Sequence, residues 1–238
     1  MTYSLNSVVI EPSSKNSPKN AVILCHGYGG DGNDISILAN YWKNFLPHTL
    51  FLCPDAPEVC KVNPAGFQWF DLMDQTEDQI LSKSLITENK LNNFINEVMD
   101  KNNLKAEQIA LVGFSQGCMI SIQVALKRKE KINCLIGYSG KIINTKHLSK
   151  NIISRPEIYL MHGDADAVVP LNSFLEAKEF FTKNDYIINT KIFKNCEHRI
   201  PTEGTSLGLN FLSLRISHLH NWNVLRLQNP FFLEMNER

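Results

Sequence analysis

The chain has 238 residues, of which 43% are hydrophobic, and its 24 Lys+Arg balance 24 Asp+Glu to a formal net charge of zero. That length suits a single α/β domain whose core needs no disulfide or structural metal, and the neutral balance gives no chain-wide field to attract nucleic acid or an anionic membrane. The N-terminus lacks the basic start and apolar stretch of a signal peptide, and no apolar run approaches a membrane span; the expectation is a soluble cytoplasmic protein acting on small molecules.

A first strand is expected at Ser7 to Ile10, then a polar loop over Ser13 to Asn20 and a second strand at Ala21 to Cys25. The next stretch, HGYGGDGND, carries glycines at 27, 29 and 32 in the spacing G-x-G-x-x-G, and Asp55 follows a third strand at Thr49 to Cys53. A dinucleotide site uses such glycines and such an acid. Against that reading, His26 lengthens a turn that should be tight, and Asn33 and Asp34 read as capping residues. They place the helix, about Ile35 to Phe45, beyond the last glycine. The segment Pro54 to Gln75 reads as irregular, a length at which loops are often functional.

A long helix, Glu77 to Lys101, leads to the strand Ile109 to Gly113 and then to Gly113-Phe114-Ser115-Gln116-Gly117, before an apolar helix over Gln116 to Lys129. G-x-S-x-G between a strand and a helix is the nucleophile elbow. The turn is sharp, and its glycines avoid collisions that side chains would cause. Ser115 is therefore the candidate nucleophile. Gln116 opens the helix, so its N–H is unpaired and points to where an acyl oxygen becomes negative. A second N–H must come from the loop after an early strand, which gives HGYGG its role: Tyr28 supplies that N–H, with its ring free to line the site, and His26 fixes the loop by hydrogen bonds.

Beyond the elbow come a strand at Cys134 to Tyr138, an irregular segment from Ser139 to Pro156 and a strand at Glu157 to Met161. A serine nucleophile needs a base and an orienting carboxylate. The turn HGDADAVVP offers Asp164 and Asp166; Asp166 is chosen as the orienting acid, with Asp164 holding the turn. After a helix at Leu171 to Lys183 and a strand at Asn189 to Phe193, the loop FKNCEHRIPTEG places His198 on the same sheet edge as the candidate base, ahead of a helix at Pro201 to Leu214. Strands alternating with helices imply an α/β fold with a mainly parallel sheet covered on both faces. The six cysteines are scattered without a C-x-x-C pair and read as buried free thiols; Cys196 and His198 alone do not make a metal site.

These motifs, LCHGYGGDGND, CPDAP, GFQWFDL, GFSQG, HGDADAVVP and EHRIPTEG, occur in an order that resembles the phospholipase/carboxylesterase, acyl-protein thioesterase-like family of α/β-hydrolases from about Val8 to Leu212. The resemblance implies an α/β-hydrolase fold and a cofactor-free, metal-free serine esterase acting on short- to medium-chain acyl esters. Its triad would be Ser115, Asp166 and His198, its oxyanion hole Tyr28 and Gln116. It also places Trp69 near the acyl site, where the sequence itself leaves core packing and pocket wall equally open. Thioesterase or lysophospholipase activity is the alternative, and a non-catalytic binding protein on the same fold a remote one. Two features depart from the family: Arg199 beside the base would disfavour a charged imidazole if it faced inward, and residues 214–238 extend the expected domain of residues 1–213. That tail is open to three readings: a segment packed on the body, a homodimer contact, or a poorly ordered extension.

Overall fold

The computed structural model describes residues 2–73, 76–186 and 188–216. Seven strands form one sheet: β1 (Ser7–Ile10), β2 (Asn20–Cys25), β3 (Thr49–Pro54), β6 (Ile109–Phe114), β7 (Cys134–Tyr138), β8 (Glu157–Gly163) and β9 (Ile188–Phe193). Their spatial order is β1-β3-β2-β6-β7-β8-β9. β1 runs antiparallel to β3, and every other pairing is parallel. The interior strands β2, β3, β6 and β7 are buried almost throughout, because helices cover both faces and every side chain meets one layer or the other.

Alternation along β2 shows the two layers. Ala21, Ile23 and Cys25 join the cluster under α2 (Glu77–Asn102), α3 (Gln116–Lys127) and α5 (Leu171–Lys183). Val22 and Leu24 join the cluster under α1 (Gly32–Trp42) and α6 (Thr202–Ile216). The structure thus has the α/β-hydrolase architecture that the sequence implied. It adds three short elements within the segments read as irregular: the hairpin β4 (Glu58–Val59) with β5 (Phe67–Gln68), and α4 (Thr145–Ser149).

The start of α1 differs from the sequence reading. Asp31 is the cap, accepting from Asp34 N–H while Asp34 returns a bond to Asp31 N–H, and Gly32 already lies in the helix. At the other end of the chain, α6 continues to Ile216, so residues 214–216 belong to a helix; the rest of the expected extension, residues 217–238, lies outside the described residues.

The chain builds outward from β2 in both directions, to β3 and β1 on one side and to β6 and beyond on the other. Loops leaving the C-terminal ends of β2 and β6 diverge at this switch point, leading to α1 and α3 on opposite faces of the sheet, the place where open α/β sheets bind their ligands.

Candidate active site

Ser115 lies at the sharp end of β6, with φ 53° and ψ −117°. That conformation is costly for a residue with a side chain and persists only where the surroundings enforce it. Here Ser115 N–H donates to Tyr138 O at 2.9 Å. The flanking glycines are obligatory: a Cβ on Gly117 would sit 2.1 Å from Cys25 O, and one on Gly113 2.4 Å from Gly117 O. Although Ser115 occupies the cap position of α3, its hydroxyl makes no capping bond. Instead Ser115 Oγ lies 2.9 Å from His198 Nε2.

His198 comes from the loop after β9, and its Nδ1 lies 2.7 Å from Asp166 Oδ2. Asp166 comes from the turn after β8 and is fully buried at its side chain. Its other oxygen, Oδ1, accepts from Val168 N–H at 2.9 Å and Val169 N–H at 2.8 Å. Burial pushes the Asp166 carboxyl up, but the His198 and Val169 hydrogen bonds outweigh it, and the net direction is down. The carboxylate is therefore held ionised against the imidazole. Phe114 packs on the His198 ring with centroids 4.9 Å apart.

Three residues far apart in sequence thus form one hydrogen-bonded line. Asp164 stands outside it, accepting from Asn195 N–H at 2.6 Å and so tying the β8 turn to the loop that carries His198. Arg199 is exposed. Cys196 is buried with the other five free cysteines, while its neighbour His198 faces Ser115.

Tyr28 and Gln116 lie at the switch point. β2 and β6 are neighbours in register, Cys25 against Gly113, so the loop after β2 abuts the elbow, and a Cβ on Gly27 would stand 3.3 Å from Ser115 Cβ. Gln116 is the first residue of α3, where an N–H has no intrahelical acceptor. The Tyr28 ring is less free than the sequence suggested: its phenol oxygen is buried, and burial together with the neighbouring Cys60 thiol pushes the phenol up to about 12. His26 does fix its loop, with Nδ1 2.7 Å from Gly27 O and Nε2 accepting from Ala56 N–H at 2.9 Å.

Trp69 is fully buried in the core cluster, with its indole N–H donating to His26 O at 2.9 Å, which favours core packing over the pocket-wall reading. A cavity of about 370 Å³ is lined by apolar side chains that include Met119, Ile142 and Ile143 and by polar ones that include Glu77, Lys141 and Glu176. No local sequence pattern marks these residues, because they come from separate helices and loops far apart in the chain.

A family model described as phospholipase/carboxylesterase matches residues 5–216. The chain belongs to that family. Within the phospholipase/carboxylesterase family it is 30% identical over 201 residues to acyl-protein thioesterase 1 of Saccharomyces cerevisiae, covering 78% of this chain and 88% of that one. It is 24% identical over 198 residues to the Escherichia coli esterase YpfH, covering 82% of each. Among solved structures, esterase PE8 superposes with a TM-score of 0.84 at 31% identity, covering 89% of this chain and 99% of that one. The Zea mays acyl-protein thioesterase 2 shares the fold, with a TM-score of 0.72 at 20% identity over 89% of this chain and 99% of that one. This phospholipase/carboxylesterase family member is thus a hydrolase of the esterase and thioesterase kind.

Proposed function

We propose that this hydrolase is a serine carboxylesterase that cleaves short- to medium-chain acyl esters through an acyl-enzyme. The unbroken line from Ser115 Oγ to His198 at 2.9 Å and on to Asp166 at 2.7 Å carries this reading. Ser115 Oγ attacks the acyl carbonyl as His198 Nε2 takes its proton; Asp166 fixes the imidazole tautomer and stabilises the imidazolium. The N–H groups of Tyr28 and Gln116 receive the oxyanion. His198 then returns the proton to the leaving oxygen, and water, deprotonated by the same imidazole, releases the acid.

The cavity suits the acyl chain. Gly140, whose added Cβ would lie 3.2 Å from Ser115 O, leads directly into Lys141, Ile142 and Ile143 on its wall, and Met119 on the wall is one turn along α3 from the nucleophile. No residue of the His198 loop lines it, which leaves the imidazole side to the leaving group. A volume of about 370 Å³ lies at the lower end of the range for small-molecule pockets, which supports an acyl chain of modest length.

A thioester poses the same chemistry with a better leaving group, and relatives carry the name acyl-protein thioesterase. Purified protein assayed on p-nitrophenyl esters and acyl thioesters of increasing length separates the readings. We expect kcat/KM to climb from acetate over a few carbons, at up to about 0.8 kcal/mol or fourfold per methylene, and then level. Turnover of neither class, with no labelling by a fluorophosphonate, would instead leave a binding protein on a hydrolase fold.

A further inference from the structure

Gln116 and the Trp69 segment are joined by bonds that the proposed chemistry does not by itself require. The Gln116 side-chain oxygen Oε1 accepts from Trp69 N–H at 2.8 Å, and its Nε2 donates to Phe70 O at 2.5 Å. Both side chains are wholly shut off from solvent. From the other side of the same residue, Trp69 Nε1–H donates to His26 O at 2.9 Å. The Thr87 hydroxyl donates to Trp69 O, anchoring the segment to α2.

His26 O belongs to the peptide that leads into Gly27 and Tyr28, and Gln116 is the residue after the nucleophile. One buried tryptophan is therefore bonded to the side chain of Gln116 and to the carbonyl two residues before Tyr28, the residues whose N–H groups form the oxyanion hole. His26 is itself held: its Nε2 accepts from Ala56 N–H, so its proton is on Nδ1, which donates to Gly27 O. The far part of the glycine-rich loop is tied to Phe67 and Asn63 through Gly29 and Gly30, and the indole bond supplies the fixed point at its near end, one residue before Gly27.

We propose that Trp69 is a positioning residue for the oxyanion hole, setting the separation of the Tyr28 and Gln116 N–H groups through His26 O on one side and the Gln116 amide on the other. This rests on the reading of Ser115, Tyr28 and Gln116 given above. Donors aimed at the developing negative charge act only when preorganised, and a misplacement of about 1 Å can cost on the order of 100-fold. Trp69 thus acts in the transition state without touching the substrate.

Trp69→Phe removes the indole N–H and keeps an aromatic ring in the core. On p-nitrophenyl acetate we expect kcat to fall roughly 10- to 100-fold with KM little changed. Affinity for an alkyl trifluoromethyl ketone, whose hemiketal with Ser115 places an oxyanion in the hole, should weaken by the same factor as kcat/KM. Long and short esters should suffer alike. Gln116→Glu keeps the acceptor for Trp69 N–H but sets a carboxylate oxygen against Phe70 O; it should show the same paired loss, and it carries the test if Trp69→Phe does not fold. A merely structural tryptophan would lower the melting temperature and leave kcat and ketone affinity of the folded fraction at their wild-type values, and that result overturns the proposal. So does a loss confined to long-chain esters, which would return Trp69 to the acyl pocket. Ser115→Ala keeps the two failures apart: if that variant still hydrolyses ester the site has been misread, whereas an inactive Ser115→Ala beside an unimpaired Trp69→Phe overturns the positioning role alone.

Discussion

His162 Nε2 lies 2.8 Å from Val169 O and 3.4 Å from Asp166 Oδ2, with both side chains at the His162–Asp166 pair fully buried. A carbonyl only accepts, so Nε2 carries the proton, and Nδ1 is left bare and buried without a partner. The ring is thus a neutral donor at the back of the carboxylate turn, with Phe174 packed beside it at 5.5 Å between centroids. His162→Leu should cost about 1–3 kcal/mol by orphaning the Val169 carbonyl, and should lower kcat as Asp166 loses its support. His162→Gln, whose amide nitrogen reaches the Nε2 position, should recover most of both. Urea midpoints and kcat for the pair measure this; equal losses would show that the donor is irrelevant.

Acid should weaken the fold through two histidines. Burial lowers the pKa of both His26 and His162 below the ordinary imidazole value, despite their hydrogen bonds to Gly27 O and Val169 O. The unfolded chain therefore binds protons first as pH drops below about 6.5, so their contribution is complete above that value and is lost as pH falls through the depressed folded values. The urea midpoint should decline between pH 7 and 5, and less steeply in His162→Gln. A midpoint independent of pH over that interval would contradict two neutral buried imidazoles.

The triad should behave as a unit. Ser115→Ala should lose on the order of 10⁴-fold or more in kcat, together with fluorophosphonate labelling. Asp166→Asn should lose a comparable factor, because an amide offers His198 Nδ1 the wrong partner. Asp164→Asn keeps an oxygen for Asn195 N–H, so it should retain most activity and change mainly stability. Steady-state kinetics on the two Asn variants decide which carboxylate serves the imidazole, and reversed effects would exchange their roles.

Filling the cavity should shorten the preferred acyl chain. Ile142 is part of the cavity wall and only partly buried, so Ile142→Trp can occupy the space without breaking the core. The climb of kcat/KM with ester length should stop earlier while acetate hydrolysis stays near wild type. A chain-length profile unchanged by the added indole would place the acyl group elsewhere.

Much of this was legible because parallel strands buried on both faces must be continuous apolar runs and Ser115 and Asp166 follow such runs at their C-terminal ends, whereas His198 follows the mixed, partly exposed strand β9. The start of α1 was not legible: Asp31, Asn33 and Asp34 are all competent caps. Gly32 reads as loop, although it is a glycine because a Cβ there would meet Cys53 O at 2.2 Å. The five residues of α4 and the two-residue strands β4 and β5 are too short to display a period. Trp69 was ambiguous for another reason. Its burial depends on bonds from Gln116 and Thr87, 47 and 18 residues away, and no local pattern distinguishes an aromatic in a long loop from one in the core.

The Ser115–His198 bond spans 83 residues, and His198 hangs from β9, the outermost strand of its side, which is paired only to β8 and partly exposed along its length. Edge elements open at lower free energy than the strands they border. A chain that has emerged only as far as the turn after β8 owns the candidate nucleophile and its acid but no base, and a mature molecule whose rim has frayed is in the same condition. On the proposed triad, hydrolytic power should therefore arrive late during synthesis and be lost early under mild denaturation, while the central strands and their optical signature persist.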